Sequence, residues 1–172
     1  MKSNLVIIGF MGVGKTTNGR RVAKKLRKGF IDTDFFIEYN CNTKINKIFQ
    51  RYGEAHFRKL EKKAVKEVSK RKNVVISTGG GVVLDPSNIK ELKRNGIIIL
   101  LQGSIKHITR NLENSYKKRP LLEKENWKME LRNILESRKK RYFNSSDYII
   151  KVDGKSHGQI VNEIVKAYKR RR

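Results

Sequence analysis

The segment NLVIIGFMGVGKTTNGRRVAKKL, from Asn4 to Leu26, limits the possible folds more than any other part of the chain. An apolar run typical of a buried strand leads into three glycines, and a basic run with helical spacing follows them. The spacing G-x-x-x-x-G-K-[ST] is satisfied by Gly9, Gly14, Lys15 and Thr16. Glycines let the backbone curl so that successive N–H groups and the start of a helix face a polyphosphate. The segment therefore predicts a strand, a phosphate-binding loop and a helix, with an accidental glycine turn as the alternative.

The polar residues of this loop have separate predicted tasks. Lys15 would reach the β and γ phosphates of a nucleotide, and the Thr16 hydroxyl would coordinate Mg²⁺, a hard cation that prefers oxygen ligands. The predicted nucleotide-binding residues of the loop are Gly12, Val13, Gly14, Lys15, Thr16 and Thr17. Such loops occur in GTPases, motors, ATPases and small-molecule kinases, so other parts of the chain must discriminate among these classes.

Short apolar runs elsewhere indicate further strands that are buried on both faces of a parallel sheet. The predicted strands are Leu5–Ile8, Phe30–Ile31, Val74–Ile76, Ile97–Leu101 and Tyr148–Val152. Helical spacing is found at Arg20–Leu26, Ile45–Arg51, Glu54–Ser69, Pro86–Arg94, Ile105–Leu112, Trp127–Tyr142 and Gln159–Tyr168. Strands that alternate with helices predict βαβ units, and 172 residues with 37% hydrophobic content suffice for one compact domain. The expected fold is a doubly wound α/β domain over residues 1–172.

The charge of the chain is strongly positive, because 41 Lys and Arg against 16 Asp and Glu give +25 at pH 7. Such a surplus attracts nucleotides, nucleic acids and acidic surfaces without choosing among them. Two interpretations stay open, a bias in amino-acid usage that places the charge on a solvated surface and an additional role on nucleic acid or another acidic partner.

A single cysteine, Cys41, excludes an internal disulfide framework, and no apolar run reaches the ~18 residues of a membrane helix. We therefore expect a cytoplasmic protein with no membrane partner.

Two acids follow the short second strand in the segment FIDTDFFIE. GTPases and large ATPases usually place an acid after an apolar strand to hold Mg²⁺, but here the third strand ends in Ser77 and Thr78. Asp32 and Asp34 are two residues apart, so in an extended chain both side chains project the same way. This pair predicts Asp32 near the metal and Asp34 near an acceptor hydroxyl. A helix N-cap followed by an acid in the first turn is the alternative.

Two further motifs lie at positions suited to ligand binding. Gly79–Gly81 follow the third strand at the carboxyl edge where α/β folds bind ligands, although a plain tight turn before Pro86 would look the same. Arg58 and Glu61 lie three residues apart on one helix face, either as an ordinary surface pair or as a positioned ligand-binding arginine.

The polar segment at 114–126, NSYKKRPLLEKEN, is predicted to be a mobile loop that folds over bound phosphates. Arg119 in this segment would stabilise charge on a transferring phosphoryl group. Arg138 lies one helical turn before Tyr142 among basic neighbours, and a solvated helix face would explain it equally well.

In chain order, GFMGVGKTT, FIDTDFFIE, YGEAHFRKLE, STGGGVV, KKRPLL and RKKRY resemble the signature of the shikimate kinase family. The resemblance covers the chain from Leu5 to about Val165. It implies ATP-dependent phosphorylation of the 3-hydroxyl of shikimate, a step of aromatic amino acid and chorismate biosynthesis. It also implies a three-layer α/β/α P-loop kinase fold like that of nucleoside-monophosphate kinases, with a five-stranded parallel sheet. A helical substrate-binding region at about 32–62 and a lid at about 114–126 would complete it.

The resemblance also implies roles for individual residues. Asp34 would contact the hydroxyls of shikimate, including the attacking one, and the arginines would contact its carboxylate. The implied neighbours of shikimate are Asp34, Arg58, Gly80, Gly81 and Arg138. Glu61 would orient Arg58.

On the nucleotide side, Lys15 and Arg119 match the residues that hold the transferring phosphoryl group. The resemblance makes Thr16 a direct Mg²⁺ ligand and Asp32 a ligand through water. Arg110 would pack on adenine, which stacking and cation–π contact can explain.

Departures from the family pattern leave some contacts open. Asn42 stands where the family usually has glycine, which is tolerable because Asn enters the left-handed region more easily than most residues. Asn18 replaces a usually apolar residue, and DGKSHGQ matches the adenine-side loop only loosely. A nucleic-acid-binding NTPase is the alternative from another class, and gluconate-type and nucleotide kinases are the alternatives among kinases. A monomer is expected, because a chain of this type can complete its site alone.

Overall fold

The computed structural model describes residues 2–115 and 125–170. The strands of this part are β1 (Asn4–Gly9), β2 (Gly29–Asp32), β3 (Val74–Ser77), β4 (Gly96–Gln102) and β5 (Tyr148–Lys151). Within the described residues they form one parallel sheet in the order β2-β3-β1-β4-β5. All of the predicted strands are confirmed, with ends that differ from the prediction by no more than one residue.

The centre of the sheet is its most apolar part. β1 pairs with β3 on one side and with β4 on the other, so that Leu5 lies opposite both Val75 and Ile97. Every residue of β1 is buried, and β4 is buried from Gly96 to Leu101. Successive side chains of a strand point to opposite faces, so a run that is apolar throughout needs a cover on both faces.

Helices provide these two covers. They are α1 (Lys15–Leu26), α2 (Thr33–Cys41), α3 (Ile45–Ser69), α4 (Pro86–Asn95), α5 (Ile105–Glu113), α6 (Trp127–Ser145) and α7 (His157–Arg170). α1 and α7 share one core with Leu5 and Ile7, whereas α3, α4, α5 and α6 share another with Val6 and Ile8. The expected three-layer α/β/α arrangement is therefore confirmed.

Helical spacing did not predict α2, although the resemblance implied a helical region at about 32–62. The helix lacks a clear apolar stripe, because Phe35 and Tyr39 are exposed while Ile37 is buried. A small core that includes Ile37, Ile48 and Phe57 joins α2 to α3. The pair thus protrudes from the carboxyl end of β2 as a unit with its own apolar contacts.

The two helical segments predicted on either side of Gly53 are both present, and they meet inside α3. Gly53 has φ 77° and ψ 176°, values outside the helical region that a residue with a Cβ rarely adopts, so it bends α3 at this point. Asn42 has φ 46°, the left-handed conformation that the sequence allowed, and its N–H donates to the carbonyl of Tyr39 at 3.3 Å. Both turns follow from residues that tolerate positive φ.

Within residues 2–115 and 125–170, no helix combines the length and the apolar character that crossing a bilayer requires. The predicted lid at about 114–126 lies mostly outside the described residues, and so does Arg119.

Candidate active site

A cavity of about 360 Å³ opens at the carboxyl edge of the sheet, where the sequence predicted ligand binding. The predicted site residues that line it are Gly12, Gly14, Lys15, Thr16, Thr17, Asp32, Asp34 and Gly80. Val13 is not part of this lining, because its side chain is 2% exposed in the core and its N–H donates to the Phe10 carbonyl at 3.3 Å.

The loop between β1 and α1 needs its glycines for two separate reasons. Gly12 and Gly14 have φ of 78° and 96°, which side chains with a Cβ rarely adopt. A Cβ at Gly12 would also lie 2.9 Å from Cγ of Leu112 in α5. The loop is therefore held close to α5, and its curl points the start of α1 at the cavity.

Lys15 and Thr16 begin α1 and face the cavity from its floor. Lys15 is 8% exposed, and its Nζ donates to the Phe10 carbonyl at 2.8 Å. The hydroxyl of Thr16 donates to Oδ2 of Asp32 at 2.7 Å. An ammonium group, a hydroxyl and a carboxylate thus lie together in the lining of the cavity.

Asp32 and Asp34 both reach the cavity, but the extended geometry expected for this pair is wrong. Asp32 ends β2, whereas Asp34 belongs to the first turn of α2. Oδ1 of Asp32 accepts from the N–H groups of Asp34 at 3.0 Å and Phe35 at 3.2 Å. Asp32 is therefore the N-cap of α2 and at the same time the partner of Thr16, so the capping alternative is correct and does not exclude a site at the cavity.

Gly79–Gly81 are packed against polar side chains from the first turn of α2 and from the middle of α3. A Cβ at Gly79 would lie 2.7 Å from Oδ1 of Asp34 and 3.1 Å from Oε1 of Glu61. A Cβ at Gly81 would lie 2.1 Å from Nη1 of Arg58. These glycines therefore do more than turn the chain, because they let Asp34, Glu61 and Arg58 come together.

The ion pair between Arg58 and Glu61 is not an ordinary surface pair. Nη1 of Arg58 donates to Oε2 of Glu61 at 2.7 Å, and the Glu61 side chain is only 1% exposed. Burial raises the pKa of the Glu61 carboxyl, and the guanidinium groups of Arg58 and Arg138 oppose that shift. Burial would lower the pKa of Arg58, but Glu61 and Glu54 reverse the shift and keep the guanidinium charged. Oε1 of Glu61 has no hydrogen-bond partner among the described residues.

Arg138 joins this group from α6. It hydrogen-bonds to Tyr142, whose hydroxyl also donates to the carbonyl of Gly80. Burial raises the pKa of Tyr142 to about 12, so the phenol stays protonated as a donor. Tyr142 is not among the predicted site residues, and its spacing of one helical turn from Arg138 is the only sequence signal for its place here.

The geometry agrees with the comparison to protein families, in which the sequence profile described as shikimate kinase matches residues 11–169. The chain belongs to the shikimate kinase family. It is 46% identical over 165 residues to the shikimate kinase of Caldanaerobacter subterraneus subsp. tengcongensis, covering 96% of this chain and 95% of that protein. The relative from Thermoanaerobacter pseudethanolicus is 44% identical with the same coverage.

The solved shikimate kinase of Acinetobacter baumannii, in complex with shikimate, has a similar structure. It superimposes with a TM-score of 0.91 at 32% identity, covering 99% of this chain and 94% of that one. The likeness extends over the sheet, both helical layers and the α2–α3 unit. The fold expected from the resemblance to shikimate kinases is therefore confirmed.

Two asparagines on the nucleotide side of the cavity were missed by the sequence analysis as functional residues. Nδ2 of Asn111 donates to the Gly12 carbonyl at 2.7 Å and lies 3.0 Å from Nε2 of His107. Nδ2 of Asn18 donates to the Gly14 carbonyl at 2.9 Å. Each asparagine thus holds one carbonyl group of the phosphate-binding loop. The i, i+4 spacing of His107 and Asn111 was the one sequence feature that could have indicated their contact on one face of α5.

Asn18 has a second contact that links it to α7. Its Oδ1 lies 3.0 Å from Nδ1 of His157, which also lines the cavity. Asn18 is 1% exposed, so the amide that replaces a usually apolar residue of the family is buried but satisfied. By contrast, Arg110 is exposed on α5 and does not belong to the described lining of the cavity.

We expect Asn111→Leu to raise the KM for MgATP about 5-fold with little effect on the KM for shikimate, because one hydrogen bond is worth about 1 kcal/mol. The described hydrogen bonds of this amide go to Gly12 and His107, and neither residue is an expected neighbour of shikimate. Initial rates at varied MgATP and shikimate would measure both constants. Asn133→Leu, at an exposed position of α6, is the matched control, and an equal effect of both variants would contradict the assigned contact.

Proposed function

We propose that the chain transfers the γ-phosphoryl group of ATP to the 3-hydroxyl of shikimate, giving shikimate 3-phosphate and ADP. One observation carries this proposal: an acid and an arginine, Asp34 and Arg58, pack on the same Gly79–Gly81 turn beside the phosphate-binding loop. Shikimate bears hydroxyls and one carboxylate, which need an acceptor and a cation within a few ångströms of each other. Membership of the shikimate kinase family supports the same activity.

On the acceptor side, Asp34 is proposed to accept the proton of the attacking hydroxyl. A carboxylate within hydrogen-bond reach can orient the hydroxyl and take its proton as the bond to phosphorus forms. Arg58 and Arg138 are proposed to bind the carboxylate of shikimate, since guanidinium groups form paired charge-assisted hydrogen bonds with such groups. Glu61 holds Arg58 in place from its buried side.

On the nucleotide side, Lys15 is proposed to hold the transferring phosphoryl group together with Arg119. The residues present fit Mg²⁺, because Thr16 and Asp32 offer two hard oxygens 2.7 Å apart at the cavity. Thr16 would bind the ion directly and Asp32 through water. When bound, Mg²⁺ neutralises negative charge on the phosphate oxygens. Arg110 is proposed to pack on adenine, and the protein is proposed to act as a monomer.

The test is an acceptor panel with the purified protein and MgATP. We expect ADP release to be stimulated strongly by shikimate and no more than weakly by gluconate, CMP or AMP, because only shikimate combines a ring of hydroxyls with a carboxylate that fits two arginines. A coupled assay for ADP and mass spectrometry of the phosphorylated product would measure this. Equal stimulation by gluconate, or none by shikimate while ATP still binds, would overturn the substrate assignment.

A further inference from the structure

The two helical layers differ sharply in how their charges are mixed. α1, the two residues after it and α7 hold ten cations and one acid, Glu163. α3, α4 and α6 together hold 16 cations and six acids. The one acid on the first layer is already bound by Lys155, at 2.8 Å. The positive charge of the α1–α7 layer therefore has almost no compensation within the layer.

Most of these cations are exposed on the outer side of the layer, which we call the α1–α7 face. Its exposed members are Arg20, Arg21, Lys24, Lys25, Arg27, Lys166, Lys169 and Arg170. On the opposite layer, by contrast, lysines and arginines meet acids, as in the pairs Lys62–Asp85, Lys70–Glu67 and Arg94–Glu91. A general bias toward lysine in amino-acid usage would not by itself explain why acidic residues are so rare in one helical layer.

The basic C-terminal ends of α1 and α7 lie side by side, at the far end of these helices from the active-site cavity. α1 and α7 pack together through one core, and Lys28 lies over the ring of Tyr168, with 5.2 Å from Nζ to the ring centroid. Both Lys28 and Tyr168 donate to the carbonyl of Ser3, at the start of β1. The basic ends of both helices therefore lie at the sheet edge opposite the phosphate-binding loop, so an occupant of this face leaves the cavity open.

The dimensions and chemistry of the face indicate the kind of anion that fits it. A helix of 14 residues such as α7 spans roughly 21 Å, over which a nucleic acid duplex presents several phosphates on each strand. The exposed large apolar side chains of the described residues are Phe35, Tyr39, Tyr52, Met129 and Ile149, none of which belongs to α1 or α7. The face thus lacks the aromatic platform on which single-stranded bases stack and the apolar side chains that insert into a membrane surface.

We propose that the α1–α7 face binds the phosphate backbone of a double-stranded nucleic acid, without sequence preference. Contacts of this kind need only positive side chains at the spacing of phosphates, and they draw their affinity from released counterions. The proposal concerns the surface opposite the cavity and does not depend on the identity of the acceptor.

The test compares two variants of the full chain with equal loss of charge. One replaces Arg21, Lys24, Lys166 and Lys169 by Gln on the α1–α7 face, and the control replaces Lys63, Lys66, Lys72 and Lys90 by Gln around α3 and α4. All eight positions are exposed. The probe is a fluorescein-labelled 20-base-pair DNA duplex, whose anisotropy is followed at several salt concentrations. ATP-dependent turnover of shikimate is measured in parallel and should be unchanged in both variants.

We expect the unmodified protein to bind the duplex with a Kd of about 10⁻⁶–10⁻⁴ M at physiological salt. The α1–α7 variant should bind at least about 10-fold more weakly, and its slope of log K against log salt should shrink by up to about 3.6, since each of four lost phosphate contacts contributes about 0.9. The control variant should lose much less affinity for the duplex and show a smaller change in the salt slope. Equal losses in both variants, tighter binding of the single strand, or binding of phosphatidylserine vesicles in place of the duplex would each overturn the proposal.

Discussion

Replacement of Asp34 by asparagine is expected to lower kcat for shikimate phosphorylation by about 10²- to 10⁴-fold, the usual contribution of a positioned general base. The variant keeps a side chain of the same shape beside Gly79 but can no longer accept the proton of the attacking hydroxyl. The KM for MgATP should stay within about 2-fold of its normal value, because this role acts on the acceptor and makes no ground-state contact with the nucleotide. Initial rates at saturating shikimate measure the effect.

A matched control is available at another aspartate. Asp85 caps α4 by accepting from the N–H of Ser87 at 2.8 Å, and asparagine caps helices about as well as aspartate. Asp85→Asn should therefore have normal kcat and melt only slightly lower, because it keeps the cap and loses only a surface ion pair with Lys62. Asp34→Asn should melt only slightly lower, since an acid in the first turn of α2 contributes about 0.3–1 kcal/mol through the helix dipole. Near-normal kcat in Asp34→Asn would remove Asp34 from the reaction.

The sheet could be predicted because its strands are buried on both faces. A run such as Ile97–Leu101 has no polar residue and is too short for a helix that crosses the core. Helical spacing did not reveal α2, because two of its four large apolar side chains, Phe35 and Tyr39, are exposed and leave no clear apolar stripe. The strongest local indication of this helix was Asp32 as a capping residue. Asp32 is also the last residue of β2, so an extended conformation was equally compatible with it.

The candidate site was predictable where one segment carries the chemistry and unpredictable where distant segments meet. The phosphate-binding loop needs only Gly9 to Thr16, and its geometry follows from the glycines. Arg58 and Glu61 form a buried pair because Gly79–Gly81 pack against them. The spacing of the two residues in the sequence cannot distinguish such a pair from one at the surface. Similarly, Asn18 and His157 are 139 residues apart in the sequence and meet only because α1 and α7 pack side by side.

Arg58→Met should have two large and separable effects. The KM for shikimate should rise about 10²-fold, because charge-assisted hydrogen bonds to a carboxylate are worth about 1.5–3 kcal/mol. The free energy of unfolding should fall by about 3–5 kcal/mol at pH 7, since the buried carboxylate of Glu61 loses its hydrogen-bonded partner and keeps only the charge of Arg138 nearby. Shikimate saturation curves and urea unfolding measure the two effects. Arg94→Met is the control, because its pair with Glu91 lies at the surface and is worth about 1 kcal/mol at most.

The pH dependence of the variant identifies Glu61 as the source of its instability. Burial raises the pKa of Glu61 above 4.5, and loss of the opposing Arg58 charge raises that pKa further. A carboxyl whose pKa is higher in the folded state binds more protons when folded, so the stability it confers is full below about pH 4.5 and is lost as pH rises through the folded-state pKa. Arg58→Met should therefore lose stability relative to the unmodified protein as pH rises from about 4.5 toward 7. The double variant Arg58→Met with Glu61→Leu should regain most of the stability and lose this pH dependence, yet keep the high KM for shikimate. If the double variant were as unstable as Arg58→Met, the buried carboxylate would not be the cause.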